Sequence, residues 1–211
     1  MDGLREASGS LNYDGLEVGS IPDEERWRAE IYRMLACLLA APPNTALLDA
    51  LMQVSGDDST VGAALGDLAR AAAAGTAESV AREYHDLFIG IGRGELLPYA
   101  SYYLTGFLHE RPLAALRGSL AAFGIERAPE IKEPEDHIAA ICEVMSGLIL
   151  GAFGPAASLA RQQEFFDAFI APWAMRFFRD LEDANSSRFY AAVGRLGRLF
   201  LGVEQTAFAI A

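Results

Sequence analysis

The sequence predicts an all-α protein, a single globular domain of about ten helices. Three observations lead there. Apolar residues recur at three- and four-residue spacing, as at Ile138, Ile141, Cys142, Met145, Leu148 and Ile149, which is the spacing of one helix face. No alternating run of period two survives its flanks, so no strand has a candidate. Pro and Gly fall mainly between the periodic segments, where they start or end helices. No repeat of about 20–50 residues is present, so solenoids and propellers are set aside. The chain has 211 residues, 52% of them hydrophobic, enough for a sizeable core in one large domain or two small ones.

Residues 1–21 are rich in Gly, Ser and Asp without a period, and read as a flexible tail ahead of a helical domain over 22–211. Pro22 followed by Asp23, Glu24 and Glu25 opens the first helix, with acidic groups at the positive end of its dipole. Trp27, Ile31, Met34, Leu35 and Leu38 form its apolar face, and Pro42-Pro43 ends it. Asn44 suits the cap of a short helix to about residue 53. An Ala-rich helix over 58–74 stops at Gly75. Residues 78–89 are amphipathic through Val80, Tyr84, Leu87 and Phe88. A glycine-rich break follows, then helices over 98–108 and 112–123, the second closed by Gly124. Residues 125–133 form the longest polar connection in the interior.

The next helix is expected to begin at Pro134, whose missing N–H costs nothing at the first helical position. With the apolar face centred near Ile138 and Met145, at about 100° per residue, His137 falls at the edge of that face and Asp136 on the opposite one. His137 is thereby expected to line a groove, and Asp136 to project from the polar side. Residues 138–160 are nearly uncharged and long enough to suggest a membrane span, but Glu143, Gly151, Gly154 and Pro155 interrupt them. A buried core helix followed by a turn is the better reading, with no stable membrane insertion. Helices over 156–170, 172–183 and 187–201 complete the chain, the last with Phe189, Val193, Leu196 and Phe200 on one face.

A formal net charge of −12 argues against nucleic acid, which requires clustered Lys and Arg, and fits a basic partner or simple solubility. Cys37 and Cys142 lie on apolar stripes at a spacing that suits neither a zinc motif nor a disulfide scaffold. Both are expected to be buried thiols in a reducing compartment. Met1-Asp2-Gly3-Leu4 shows no basic region leading into an apolar run, so no secretory signal is expected and the cytoplasm is the expected location.

Few motifs point to chemistry. His85, His109 and His137 have no second ligand at metal-binding spacing. No Gly-x-Ser-x-Gly elbow is present. Gly90-Ile91-Gly92-Arg93-Gly94 follows a helix and lacks the Lys-Ser/Thr of a phosphate loop. It reads as a flexible connection, with weak nucleotide contact as an alternative. Pro98-Tyr99-Ala100-Ser101-Tyr102-Tyr103 carries aromatics with polar tips, which suit a half-wet peptide-binding surface; a helix packing Tyr102 against the core is the alternative. Phe165, Phe166 and Phe169 read as core packing. Glu133-Pro134-Glu135-Asp136-His137 places two potentially functional side chains at a helix start, where an ordinary N-terminal signal would look similar.

Taken together, these segments resemble a known family. Tyr84-His85-Asp86-Leu87-Phe88, the stretch from Pro98 to Tyr103, Glu-Pro-x-Asp-His at 133–137, and Gln162-x-x-Phe165-Phe166 with Pro172-Trp173 occur in the order and spacing of the TorD/DmsD family of cytoplasmic redox-enzyme maturation chaperones. The resemblance covers roughly residues 23–208. It implies the family's all-helical fold and no catalytic activity. It also implies a molybdoenzyme precursor as partner, bound through its twin-arginine signal peptide and held back from export during cofactor insertion. Asp136 and His137, with Glu133 and Pro134 of the same motif, match the family's signal-peptide site. Leu87 and Phe88 match apolar residues near it, and Pro98, Ser101 and Tyr102 match the segment lining the same cleft. Related members often carry His where Phe169 stands, so a polar role at that position does not carry over. A monomer and a helix-exchanged homodimer are both compatible with the family. No cofactor is implied beyond weak GTP binding. A helical enzyme or GTP-binding switch using Asp136 and His137, and a helical adaptor without peptide preference, remain the alternatives.

Overall fold

A computed structural model describes residues 21–128 and 131–210, and among these it contains ten α-helices and no strand. The tail expected over residues 1–21 lies, except for Ile21, outside the described residues. The helices are α1 Asp23–Ala40, α2 Thr45–Met52, α3 Thr60–Ala74, α4 Ala77–Tyr84, α5 Ala100–Thr105, α6 Arg111–Ala122, α7 Ile138–Leu150, α8 Leu159–Phe165, α9 Ala174–Asp183 and α10 Phe189–Ile210. Side-chain caps start several of them. Asn44 accepts from the Leu47 N–H, Ser59 from Gly62, and Ser158 from Arg161, each satisfying a donor the helix leaves open.

α7 is the central element, buried along most of its length and packed on α1. α10 packs on α9 and α3. The approach of α9 is close because Gly194 and Gly197 carry no side chain. A Cβ at Gly194 would lie 2.7 Å from the Phe178 carbonyl oxygen, and one at Gly197 would lie 2.3 Å from the Phe178 ring. Tyr32, Phe166, Phe177, Phe178, Tyr190 and Phe200 fill the core.

α4 and α8 each run on into a one-turn π-helix, His85–Ile89 and Phe166–Ile170. Such turns are rare and often stand at functional sites. The first delivers the chain into the Gly90–Gly94 loop, and the second forms a wall of the site described below.

A buried charge cluster ties three helices together. The Arg28 guanidinium donates to both Glu204 oxygens at 2.7 and 2.8 Å, and to Glu25 and Gln162. The Tyr32 hydroxyl also donates to Glu204, at 3.0 Å. α1, α8 and α10 are thereby joined through groups that are almost wholly buried.

Three expectations require correction. Cys142 is buried, its thiol pushed up to about 12 by desolvation, but Cys37 is exposed; it turns outward between the buried Ala36 and Leu38. Trp27 stands 40% exposed, its ring edge against Phe200, at the margin of the α1 face. α7 begins at Ile138 rather than Pro134, because His137 is in extended backbone (φ −65°, ψ 138°) and serves as the N-cap. Among the described residues, no helix is long and apolar enough to cross a membrane.

Candidate functional site

The site is built where the N-terminal ends of α5 and α7 meet. Two backbone hydrogen bonds lace the segments together, from Ala100 N–H to the Asp136 carbonyl at 3.0 Å and from Ile138 N–H to the Pro98 carbonyl at 2.9 Å. They pair Tyr99 with His137 in an antiparallel bridge. The two ring centroids stand 5.1 Å apart, edge to face.

His137 and its neighbour Asp136 then each cap a helix. His137 Nδ1 accepts from the Ala139 N–H at 3.1 Å and closes the start of α7. The Asp136 carboxylate reaches across to α5, where Oδ2 accepts from the Ser101 N–H at 2.8 Å and the Ser101 hydroxyl at 2.5 Å. Tyr99, the residue that precedes α5, supplies no side-chain cap of its own. Asp136 supplies it from 35 residues away, as a negative charge at the positive end of the helix.

Both side chains are buried, Asp136 to 1% exposure and His137 to 7%. Burial pushes the His137 imidazole down to about 4, against the opposing pull of Glu133 and Asp136. The outward-facing Asp136 expected from sequence is therefore corrected. Helical angles do not apply at 136 and 137, because the chain is not yet helical there.

The rest of the motif surrounds this junction. Pro134 is half-buried, and its carbonyl accepts from the His137 N–H at 3.1 Å. Glu133 is exposed and accepts a hydrogen bond from the Tyr99 hydroxyl. Burial, reinforced by Glu133, pushes the Tyr99 phenol well up. Glu135 is clamped by Arg117 at 2.8 Å and Arg127 at 3.5 Å. Desolvation raises its carboxyl, but the Arg117 hydrogen bond and the paired charges outweigh it and hold the group below its ordinary value.

The remaining expected residues separate into two groups. Pro98 and Ser101 are buried parts of the junction itself. Tyr102 is half-buried, its hydroxyl accepting from Arg93 at 2.7 Å. Leu87 and Phe88 stand apart from the two cavities described below. Leu87 is wholly buried, and Phe88 packs edge-on against Tyr84 and Tyr190 with centroids 4.9 and 5.6 Å away. Leu87 belongs to the core beneath the π-turn that ends α4, and the half-buried Phe88 packs against it.

Two cavities flank the segment 99–108. A polar one of about 270 Å³ is lined by Tyr99, Leu108, His109, Lys132, Glu133 and Asp136, among others. An apolar one of about 160 Å³ is lined by Ala100, Leu104, Ala115, Ile141, Ala168 and Phe169, among others. Phe169, expected simply in the core, stands on the second π-turn as a wall of this apolar cavity. Leu104, Phe107 and Leu108 are 44%, 70% and 40% exposed, so an apolar rim lies open to solvent beside both cavities. Sequence reasoning passed over this rim. The available signal was an apolar cluster around Gly106, which ends the very short α5 in a left-handed conformation.

Among the described residues, no three His, Cys, Asp or Glu side chains gather into a group that could hold a metal ion.

The chain was compared with known families, sequences and structures. A family model described as "Nitrate reductase delta subunit" matches residues 55–179, which include the junction and both cavities. The "Chaperone protein TorD" of Vibrio atlanticus (strain LGP32) is 30% identical over 122 residues, covering 54% of this chain and 57% of that protein. That of Psychrobacter sp. (strain PRwf-1) is 27% identical over 164 residues, covering 72% and 74%. This chain thus spans little more than half the length of the Vibrio relative. Among solved structures, one described as a redox enzyme maturation protein from Archaeoglobus fulgidus superimposes with a TM-score of 0.59 at 21% identity, over 83% of this chain and 93% of that one. At that identity the likeness carries the fold.

Proposed function

The chain belongs to the TorD-like family described as nitrate reductase delta subunit, and from that premise we propose that it is a cytoplasmic chaperone for maturation of a molybdoenzyme precursor. It acts without catalysis and without a resident cofactor. It binds the precursor's twin-arginine signal peptide and so delays export until the client has received its cofactor. A monomer serves this role, as does a dimer made by exchange of helices.

One observation carries most weight. A polar cavity edged by the exposed carboxylate of Glu133 lies beside an apolar cavity, and Leu104, Phe107 and Leu108 are exposed between them. A twin-arginine signal has a basic start and an apolar stretch, so its two chemistries match the two surfaces. The −12 net charge favours the encounter with a basic segment.

The contacts of Asp136 and His137 favour this reading over an acid–base enzyme. Asp136 Oδ2 is committed to Ser101, and His137 Nδ1 to the Ala139 N–H. Through these contacts the pair holds two helices together.

The test is a pull-down of the full-length chain on an immobilised synthetic signal peptide, with paired arginines or with glutamines in their place. Retention by the arginine peptide and loss with glutamine are expected. A robust esterase, phosphatase or GTPase rate abolished by His137→Ala would overturn the assignment.

A further inference from the structure

Resting on the signal-peptide reading, we propose that the site consists of two separate compartments divided by the first turn of α5: a guanidinium subsite at Glu133 and an apolar side-chain subsite walled by Ala115, Ala168 and Phe169.

The division follows from consecutive residues. Tyr99 lines the polar cavity and Ala100 the apolar one. Further along, Leu104 near the end of α5 lines the apolar cavity, and Leu108, beyond the helix, lines the polar one. The apolar cavity is therefore lined by α5 itself, and the polar one by the residues that flank α5 on either side in the chain. Asp136 anchors that helix from beneath through both of its bonds to Ser101.

The chemistry of each compartment is distinct. In the polar cavity, the acidic groups are Glu133 and the buried Asp136, and the basic side chain is Lys132. Asp136 is spent on Ser101, which leaves Glu133 as the exposed carboxylate there. Tyr99 donates to Glu133 and holds it at the cavity edge. A guanidinium is the cation that pairs with a carboxylate in a fixed plane. The apolar cavity has no charged residue among its lining, and Phe169 forms one wall, its ring 5.2 Å from Phe165. Its volume of about 160 Å³ accommodates one large aliphatic or aromatic side chain.

The divider also sets a spacing. A helix is about 10 Å across with its side chains, and an extended chain advances about 3.3 Å per residue. An arginine and an apolar anchor about three residues apart would fill both compartments at once. Peptides with that spacing are selected over peptides of the same composition with a different one.

The experiment measures the affinity of the full-length chain for a synthetic peptide with two consecutive arginines ahead of a leucine-rich stretch, by fluorescence anisotropy. Glu133→Gln is expected to weaken binding about tenfold, the effect of one charge-assisted contact. Replacing the peptide's arginines with glutamines should then cost that variant little more. Ala115→Trp fills the apolar cavity and is also expected to weaken binding about tenfold; it should be insensitive to replacing the peptide's apolar anchor with Ala. Ala168→Trp is the second filling variant if the first melts early by circular dichroism. Inserting two residues between arginine and anchor should weaken binding to the wild-type chain. If the wild-type chain binds the parent peptide and folded Glu133→Gln and filling variants bind it equally well, the two-compartment site is wrong while the signal-peptide reading stands. If the wild-type chain does not bind the parent peptide, both fall.

Discussion

At the residue scale, Asp136 and His137 are the pins of the site. Asp136→Ala removes two hydrogen bonds to a charged acceptor and leaves the start of α5 uncapped. The expected loss of stability is about 1.5–3 kcal/mol, read from urea unfolding with the slope unchanged. Wild-type stability in this variant would mean that the junction is not held as described. His137 makes stability depend on pH. Burial holds its imidazole at about 4, against about 6.5 in an unfolded chain. The neutral form is therefore the one the fold favours. Its contribution is complete above about pH 6.5 and is lost as pH falls toward 4, by up to about 3 kcal/mol. His137→Asn keeps a capping side chain but cannot titrate. Its melting temperature should fall less steeply than the wild type's between those pH values. The importance of residues 133–137 was legible in the sequence because Glu-Pro-x-Asp-His is a distinctive string. The burial of Asp136 was not, because its partner Ser101 is 35 residues away and no local period reports a cross-chain cap.

At the element scale, the helices followed from apolar period and cap chemistry, and the departures have local causes. α7 starts four residues late because His137 caps it in extended backbone. α10 runs nine residues beyond Leu201, to Ile210, and the hydropathy pattern stops short of that because the next position on its buried face is Glu204, a charge. That carboxylate is buried only because Arg28 and Tyr32 meet it, and neither partner is visible from α10 alone. The π-turns were invisible for a similar reason, since the spacing at His85–Ile89 and Phe166–Ile170 does not distinguish them from α-helix. Glu204→Ala leaves the Arg28 guanidinium buried without its principal partner. It is expected to destabilise by about 3–5 kcal/mol, measured by chemical denaturation. An Arg28→Met, Glu204→Leu double variant should recover much of that loss. Equal destabilisation in both would assign the cost to lost packing rather than to an uncompensated charge.

At the scale of the whole molecule, fold and family were legible from the order of short motifs spread across the chain, while the open surface was not. Composition reports 52% hydrophobic residues but not that Leu104, Phe107 and Leu108 remain exposed beside two cavities. Nor could it show that Leu87 is wholly buried while Phe88 stays half-buried against Tyr84 and Tyr190. On the function proposed above, this acidic helical chain recognises a basic and apolar signal segment. The most direct test compares the affinity of the full-length chain for a twin-arginine signal peptide and for its glutamine counterpart over a range of salt concentrations. The arginine peptide should bind about tenfold more tightly at low salt. That advantage should narrow as salt screens the exposed charges, with a residual apolar affinity common to both peptides. Equal affinity for the two peptides at every salt concentration would contradict it.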